Sequence, residues 1–495
     1  MRLDELIAFT EISSQSGDID KDISSVTYDS RKVKKDSLFV AIDGFKSDGH
    51  KYIEAAIANG AAAIVMQNPS YKSDRYTWFL VPDSRKALAD LSAAYWDFPS
   101  QKLNVIGVTG TNGKTTTTNL ITTILEEHGY STGLSGTIHN RLGQEITPVE
   151  RTTGEAPELQ ELLHNFLSKG AKYAVMEVSS HALDLHRVRG LEFDVAVFTN
   201  LTQDHLDFHS TMEKYLAAKA KLFQALGQNV RKKRGKYAII NNDDPVSQQL
   251  AEMTSVPVIT YGMKNKADVR AEQVKVTAAG VSYQLRYKEQ LIPVNLKLTG
   301  VFNVYNSLAA ISVGLVENIP ISSIINSLER IPGISGRLEK VEAGQDFTVI
   351  VDYCHTPDGL DNCLRTAREI AEGRVITVFG CGGDRDRTKR PIMGEVAGHL
   401  SDLVIVTSDN PRTEEPQRII QDILPGLKKA VGSKEHLEEV DRRKAIYTAV
   451  QKAQKGDVVV IAGKGHEDYQ IIGDRVFPFD DRQVALEAIK ERLNN

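Results

Sequence analysis

Apolar residues in this chain gather in short runs separated by longer stretches of mixed polarity. The first such runs are Ser37–Ile42, Ala61–Met66 and Trp78–Val81, followed by Leu103–Val108, Tyr173–Val178 and Phe193–Phe198. Four more, Phe347–Val351, Val375–Phe379, Leu403–Val406 and Val458–Ile461, lie toward the C-terminus. Continuous runs this short suit strands buried on both faces, and the stretches between them carry helical spacing. That alternation predicts mostly parallel sheets covered by helices, an α/β class. The segment Asp268–Leu296 is different. Val274 and Val276, then Val281, Tyr283, Leu285 and Tyr287, alternate with polar residues, which predicts an antiparallel excursion. Residues 304–316 return to a helix.

The runs fall into three blocks, 1–98, 99–333 and 334–495, with Pro99-Ser100-Gln101 as a linker. A length of 495 residues agrees with this, since a domain takes roughly 100–200 residues. Apolar residues at 41% and charged residues at 25% describe an ordinary globular protein. The net charge of −5 gives no global attraction to nucleic acid or anionic lipid. No apolar run approaches the roughly 18–20 residues that span a bilayer. The start, Met1-Arg2-Leu3-Asp4-Glu5-Leu6, has acids where a secretory signal needs apolar residues. Cys354, Cys363 and Cys381 show no metal-ligand spacing, and so sparse a set suits a reducing cytoplasm. A cytoplasmic monomer is therefore expected, with no nucleic-acid partner and no membrane span.

The strongest chemical signal is Val105-Ile106-Gly107-Val108-Thr109-Gly110-Thr111-Asn112-Gly113-Lys114-Thr115-Thr116. A predicted strand feeds a glycine-rich loop whose backbone N–H groups can approach phosphate oxygens. A helix follows from Lys114 and points its positive end at the same place, with Gly129 able to stop it. Lys114 can reach β and γ phosphates, and the Thr115 hydroxyl can ligate Mg²⁺. The strict phosphate-loop pattern has Gly where this chain has Val108; here the glycine stands one place earlier. By itself Gly-Lys-Thr also occurs in ordinary turns, and motors, kinases and transport ATPases share the loop.

Four segments together resemble the Mur ligase family. They are Thr109–Thr115, Glu177-Val178-Ser179-Ser180-His181-Ala182-Leu183, Thr199-Asn200-Leu201-Thr202-Gln203-Asp204-His205-Leu206-Asp207, and Asp352-Tyr353-Cys354-His355-Thr356-Pro357. The resemblance spans all three blocks in order. It implies an N-terminal α/β domain (1–98) for a UDP-sugar, a central phosphate-loop ATPase-like domain (99–333) and a C-terminal Rossmann-like doubly wound domain (334–495). It also implies ATP-driven phosphorylation of a carboxylate, attack by an amine, and release of ADP and phosphate in peptidoglycan precursor synthesis. The substrates implied are UDP-N-acetylmuramoyl-L-alanyl-D-glutamate, meso-diaminopimelate and ATP, with Mg²⁺.

Residue by residue, the resemblance assigns ATP contacts to Thr109, Gly110, Thr111, Asn112, Gly113, Lys114 and Thr115, and to Asn303, Arg337 and Asp352. Asn303 and Asn306 stand near a helix start, where an Asn is as often a cap. Glu177 shares Mg²⁺ with Thr115, and His205 holds a second ion; otherwise they read as a solvated strand end and a surface-loop histidine. Lys219 matches a lysine that the family carbamylates, although Lys after two Ala on a helix usually marks a solvated face. Ser30, with Gly44-Phe45-Lys46-Ser47-Asp48-Gly49, matches the UDP-sugar end, and Thr152, Thr153, Ser179 and Arg187 the muramoyl dipeptide end. Gly154 follows the Thr pair where the family has Pro. Cys354 replaces the family's Ala and is expected as a small core residue.

The segment Asp409-Asn410-Pro411-Arg412 matches the diaminopimelate-type signature, in which Arg412 pairs with the distal carboxylate. Arg385 can grip a carboxylate too, and Gly463 and Glu467 match contacts to the distal amino-acid end. An Asn-Pro turn on the surface is the plain alternative. Lysine addition, a folylpolyglutamate-type ligase and a non-ligase phosphate-loop ATPase remain as alternative functions at this point.

Overall fold

The computed structural model describes residues 1–44, 47–149, 151–228, 231–431 and 435–494. Three sheets follow one another along the chain. The first has strands β1 (Ser14–Ser16), β2 (Ser25–Thr27), β3 (Ser37–Val40), β4 (Ala61–Met66) and β5 (Trp78–Leu80) in the order β1-β5-β4-β3-β2. All its pairings are parallel except β1 with β5.

The central sheet has eleven strands. They are β6 (Asn104–Thr109), β7 (Thr132–Ser135), β8 (Asn140–Leu142), β9 (Glu145–Thr147), β10 (Tyr173–Glu177), β11 (Val195–Phe198), β12 (Tyr237–Asn241), β13 (Val258–Gly262), β14 (Val269–Thr277), β15 (Gly280–Tyr287) and β16 (Gln290–Leu296). The spatial order is β16-β15-β14-β13-β12-β11-β6-β10-β7-β8-β9. Its middle is parallel, and the expected antiparallel excursion is β14-β15-β16, which extends one edge of the same sheet.

The third sheet runs β17 (Glu339–Lys340), β18 (Thr348–Asp352), β22 (Val458–Ala462), β19 (Val375–Phe379), β20 (Leu403–Val406), β21 (Glu435–Glu438), parallel but for β17. A hairpin, β23 (Tyr469–Ile472) with β24 (Arg475–Pro478), follows. Each sheet has an apolar core on both faces. That is why β22 is buried at every residue and reads as an unbroken apolar run, and why the one polar residue of the equally buried β19, Thr377, has its hydroxyl paired with Ser401 Oγ at 2.7 Å.

Side-chain caps start several helices. Asp83 accepts from the N–H of Arg85 and Lys86, and Thr356 from that of Gly359. The stretch Pro99–Gln101, expected as a linker, is instead a 3₁₀ turn with Pro99 and Ser100 buried, because Ser100 Oγ accepts from Glu192 N at 3.1 Å. Among the described residues no helix is long and apolar enough to cross a membrane.

Candidate functional site

The C-terminal ends of β6, β10 and β11 meet those of β18, β19 and β20 across one cavity of about 510 Å³. Open parallel sheets gather ligands at these ends, because the helix N-termini and loops there leave a crevice.

The phosphate loop lies between β6 and the helix Lys114–Glu127. Gly110 takes φ +153°, and a Cβ there would fall 1.8 Å from Thr199 Oγ1, so only glycine fits. Val108 and Gly107 point to opposite faces of β6. Val108 is fully buried in one core, while on the other face a Cβ at Gly107 would sit 2.7 Å from the Phe193 ring. The displaced glycine is thus a packing requirement against Phe193. Lys114 Nζ donates to Gly110 O (2.9 Å) and Thr111 O (2.8 Å), and burial lowers its pKa against the opposing pull of Glu177.

Glu177 ends β10 beside Val108. Its Oε1 accepts from Thr137 N at 2.8 Å, and its Oε2 from Thr137 Oγ1 (2.9 Å) and Thr115 Oγ1 (3.1 Å). Arg337, from the third block, donates Nη2 to Thr115 Oγ1 at 2.9 Å. The Thr115 hydroxyl and Glu177 carboxylate are hard oxygen donors side by side, which suits Mg²⁺ rather than a soft metal.

His205 stands at φ +56° with its ring 4.8 Å from His181. Burial pushes its pKa far down despite Asp204, so the imidazole is neutral and offers a lone pair. Burial opposes the charge on Asp204, but the Lys389 ammonium holds its carboxyl below the usual range. Lys219 is 1% exposed, donates to Gly110 O at 2.8 Å and lies 4.3 Å from the Tyr215 ring centre. Burial, then Lys114, lowers its pKa well below that of an ordinary lysine, which favours the neutral amine.

From the third block come Asp352, Arg385, Asp409, Asn410, Arg412, Gly463 and Glu467, all lining the cavity. Asp352 accepts from Leu338 N (2.7 Å) and Cys354 N (2.8 Å), and burial raises its pKa. Arg412 takes φ +52° and donates Nη1 to Gly383 O at 2.8 Å. Gly463, at φ +121°, leaves room for Asp409: a Cβ would fall 2.4 Å from its Oδ2. Burial, then the Asp409 charge, raises the Glu467 pKa.

Several expected residues lie elsewhere. Thr109 and Gly110 form the loop's base, and Pro411 shapes the turn, without lining the cavity. Asn303 is not a cap, because the helix begins earlier, at Val301, with Gly300 as N-cap. Asn303 Nδ2 bonds Thr299 O (2.8 Å), and its Oδ1 accepts from Asn306 Nδ2 (3.0 Å), so Asn306 reaches the cavity and Asn303 stands behind it. Thr152 and Ser179 line the cavity, but Thr153 and Arg187 do not. Arg187 pairs with Glu155 at 2.9 Å and donates to Thr153 O at 3.1 Å. Glu467 already accepts from Lys464 Nζ (3.1 Å) and Asn410 Nδ2 (2.8 Å). Ser30 lies in a 3₁₀ turn of the first block, away from the cavity. Phe45 and Lys46 lie outside the described residues.

Thr137, Asp358 and Lys389 line the cavity without having been expected there. Asp358 accepts from the loop's Asn112 Nδ2 at 2.6 Å, and buried Lys389 faces Asp204 at 3.5 Å. Nothing local in the sequence marks Lys389, at a helix start, as buried; its partner Asp204 lies in the second block.

Family models for the Mur ligase family catalytic domain, the Mur ligase middle domain and the Mur ligase glutamate ligase domain match residues 22–96, 108–314 and 336–465. A relative from Syntrophomonas wolfei subsp. wolfei is 49% identical, with 100% of both chains covered. The chain belongs to the Mur ligase family. That relative is named UDP-N-acetylmuramoyl-L-alanyl-D-glutamate--2,6-diaminopimelate ligase, as is one from Geobacillus kaustophilus, 49% identical over 95% of this Mur ligase and 96% of the other. A solved structure of a ligase with the same name superposes with a TM-score of 0.70 at 33% identity, covering 100% of each chain. These matches bear out the expected α/β class for this Mur ligase and the family resemblance read from its motifs.

Proposed function

We propose that this Mur ligase uses ATP to join meso-diaminopimelate to the terminal carboxylate of UDP-N-acetylmuramoyl-L-alanyl-D-glutamate, in the cytoplasm. One observation carries the reading: the phosphate loop and the Asp409–Arg412 segment open onto the same cavity. An activated carboxylate and an incoming amino acid can therefore meet there.

The carboxylate oxygen takes the γ-phosphoryl group and ADP leaves. The amine then attacks the acyl carbon, phosphate departs, and the amine gives up a proton, leaving an amide. Backbone N–H groups of 110–115 and the Lys114 ammonium hold the phosphates. Arg337 and Asp352 bring the third block onto the nucleotide. Asn303 serves the nucleotide together with Asn306, whose side-chain amide it holds. Thr115 with Glu177, and His205 with a carbamylated Lys219, would hold Mg²⁺, whose charge lets a triphosphate and a carboxylate approach each other. Burial keeps the Lys219 amine neutral and so able to capture CO₂. Ser30 and residues 45–47 bind the uridine end, and Thr152, Thr153, Ser179 and Arg187 the dipeptide; Arg187 must exchange Glu155 for substrate. Arg412 and Arg385 face the distal carboxylate of diaminopimelate, with Asp409, Asn410, Pro411, Gly463 and Glu467 shaping its amino end. The blocks 1–98, 99–333 and 334–495 serve as the three substrate domains of a monomer.

The test is phosphate release from Mg-ATP with the muramoyl dipeptide and either meso-diaminopimelate or L-lysine. Release is expected only with all components and with diaminopimelate preferred. Equal release from ATP alone sinks the ligase reading, and preference for L-lysine sinks the assignment of the amino acid.

A further inference from the structure

Two thiols to which the proposed reaction gives no role meet Asp352 on the cavity wall. The ligand atoms of Asp352, Cys354 and Cys363 lie within 4.8 Å of one another, and all three residues are buried. All three also line the cavity. The fold brings them together: Asp352 ends β18, Cys354 lies in the loop that follows, and Cys363 sits on the buried face of the helix Pro357–Ile370. Gly359 faces this loop, where a Cβ would fall 2.9 Å from the capping Thr356 Oγ1 and 3.4 Å from Cys354 Cβ. Backbone N–H groups of Leu338 and Cys354 orient the carboxylate and leave it further lone pairs.

We propose that Asp352, Cys354 and Cys363 form a binding site for a thiophilic divalent cation such as Zn²⁺, with its fourth position open to the cavity. Zn–S bonds of about 2.3 Å and Zn–O bonds of about 2.0–2.2 Å place tetrahedral ligand atoms roughly 3.5–3.8 Å apart. Side-chain shifts on the order of 1 Å close the present spread onto an ion. Two sulfurs select against Mg²⁺, which prefers an all-oxygen shell. Binding forms two metal–sulfur bonds and one metal–oxygen bond, releases the two thiol protons to solvent, and transfers no electrons. Binding requires both thiols to be deprotonated, so affinity rises with pH. Because the proposed reaction places Asp352 on the nucleotide, an ion held there competes with nucleotide; this consequence rests on that reading, whereas the site itself does not.

The experiment is titration of the full-length, metal-free chain with Co²⁺ at about pH 8 under reductant, following sulfur-to-cobalt charge-transfer absorption. The parent should saturate with a single bound ion that Zn²⁺ displaces. Cys354→Ala and Cys363→Ala should each abolish the absorption, while Cys381→Ala, at a buried thiol outside the cluster, should retain it. No charge-transfer absorption in the parent, or absorption that survives both cluster variants, overturns the site. With free Co²⁺ set by a metal buffer, so that Co²⁺ chelated by ADP is allowed for, ADP should raise the half-saturating free Co²⁺ concentration; a cysteine-dependent band that ADP leaves unmoved overturns the competition alone.

Discussion

Replacing Arg412 with alanine removes a guanidinium that is held in place before any ligand arrives. Its backbone is left-handed, at φ +52°, its N–H donates to Ile471 O at 3.1 Å, and its carbonyl accepts from Gly473 N at 2.7 Å. Nη1 is anchored to Gly383 O at 2.8 Å. Truncating one partner of a buried charge pair costs ~2–5 kcal/mol. Arg412 is only half-buried, so the lower end applies, and ~2 kcal/mol is ~30-fold in kcat/KM. The loss should fall on meso-diaminopimelate and spare L-lysine, which has no distal carboxylate. Alanine keeps its Cβ in the left-handed region, a cost of roughly 1–2 kcal/mol that glycine escapes. Arg412→Gly should therefore be more stable than Arg412→Ala yet equally impaired, which separates the charge from the backbone. Burial and then the Arg412 charge lower the pKa of Arg385, since the two guanidiniums line one cavity, and Arg385→Ala on top of Arg412→Ala should deepen the loss. The assay is phosphate release against amino-acid concentration. A kcat/KM for diaminopimelate within about threefold of the parent, or equal losses for both amino acids, refutes the reasoning.

Glu177→Gln keeps the shape beside Thr115 and Thr137 but removes the charge; phosphate release should fall ~100-fold or more with circular dichroism unchanged. A loss under tenfold would show that the charge is dispensable. Arg442 and Asp481 have side chains 0% exposed and paired at 2.7 Å, and Arg442 ties the loop after β20 to the end of β22 through Ser408 O and Ala462 O. Arg442→Met should cost ~3–5 kcal/mol, and Arg442→Met with Asp481→Leu should recover much of it. At ~2–4 °C per kcal/mol, calorimetry should show the third-block transition roughly 6–20 °C lower for the single variant, and no shift would mean the pair is not structural. Burial pushes His181, His209 and His355 down to about 4 and His466 to about 3. Below the ordinary value of ~6.5 the unfolded chain takes up protons that the folded chain refuses until about 4. Stability fully present above pH ~6.5 should therefore drain as pH falls toward 4, and a urea midpoint flat from pH 7 to 5 would contradict this.

The sequence by itself determined the local elements and the identity of the phosphate loop. The runs Ala61–Met66, Val375–Phe379 and Leu403–Val406 coincide with strands β4, β19 and β20, because a strand buried on both faces must be nearly all apolar, and the one polar side chain among them, Thr377, is paired with Ser401. Gly110 and Lys114 were legible for the same kind of reason: a loop that close to Thr199 admits only glycine there. What the sequence left open depends on contacts between residues far apart in the chain. Nothing local distinguishes Asn303 from Asn306, yet one helical register sends Asn306 to the cavity and leaves Asn303 behind it. Lys389 has no local mark of burial, yet it is buried and faces Asp204 of the second block at 3.5 Å. Cys354 and Cys363, without any recognisable spacing, converge because a helix folds back over the end of β18. Local chemistry is written in neighbouring residues, whereas burial and pairing are set by which surfaces the three sheets present to one another, and only the tertiary structure decides that.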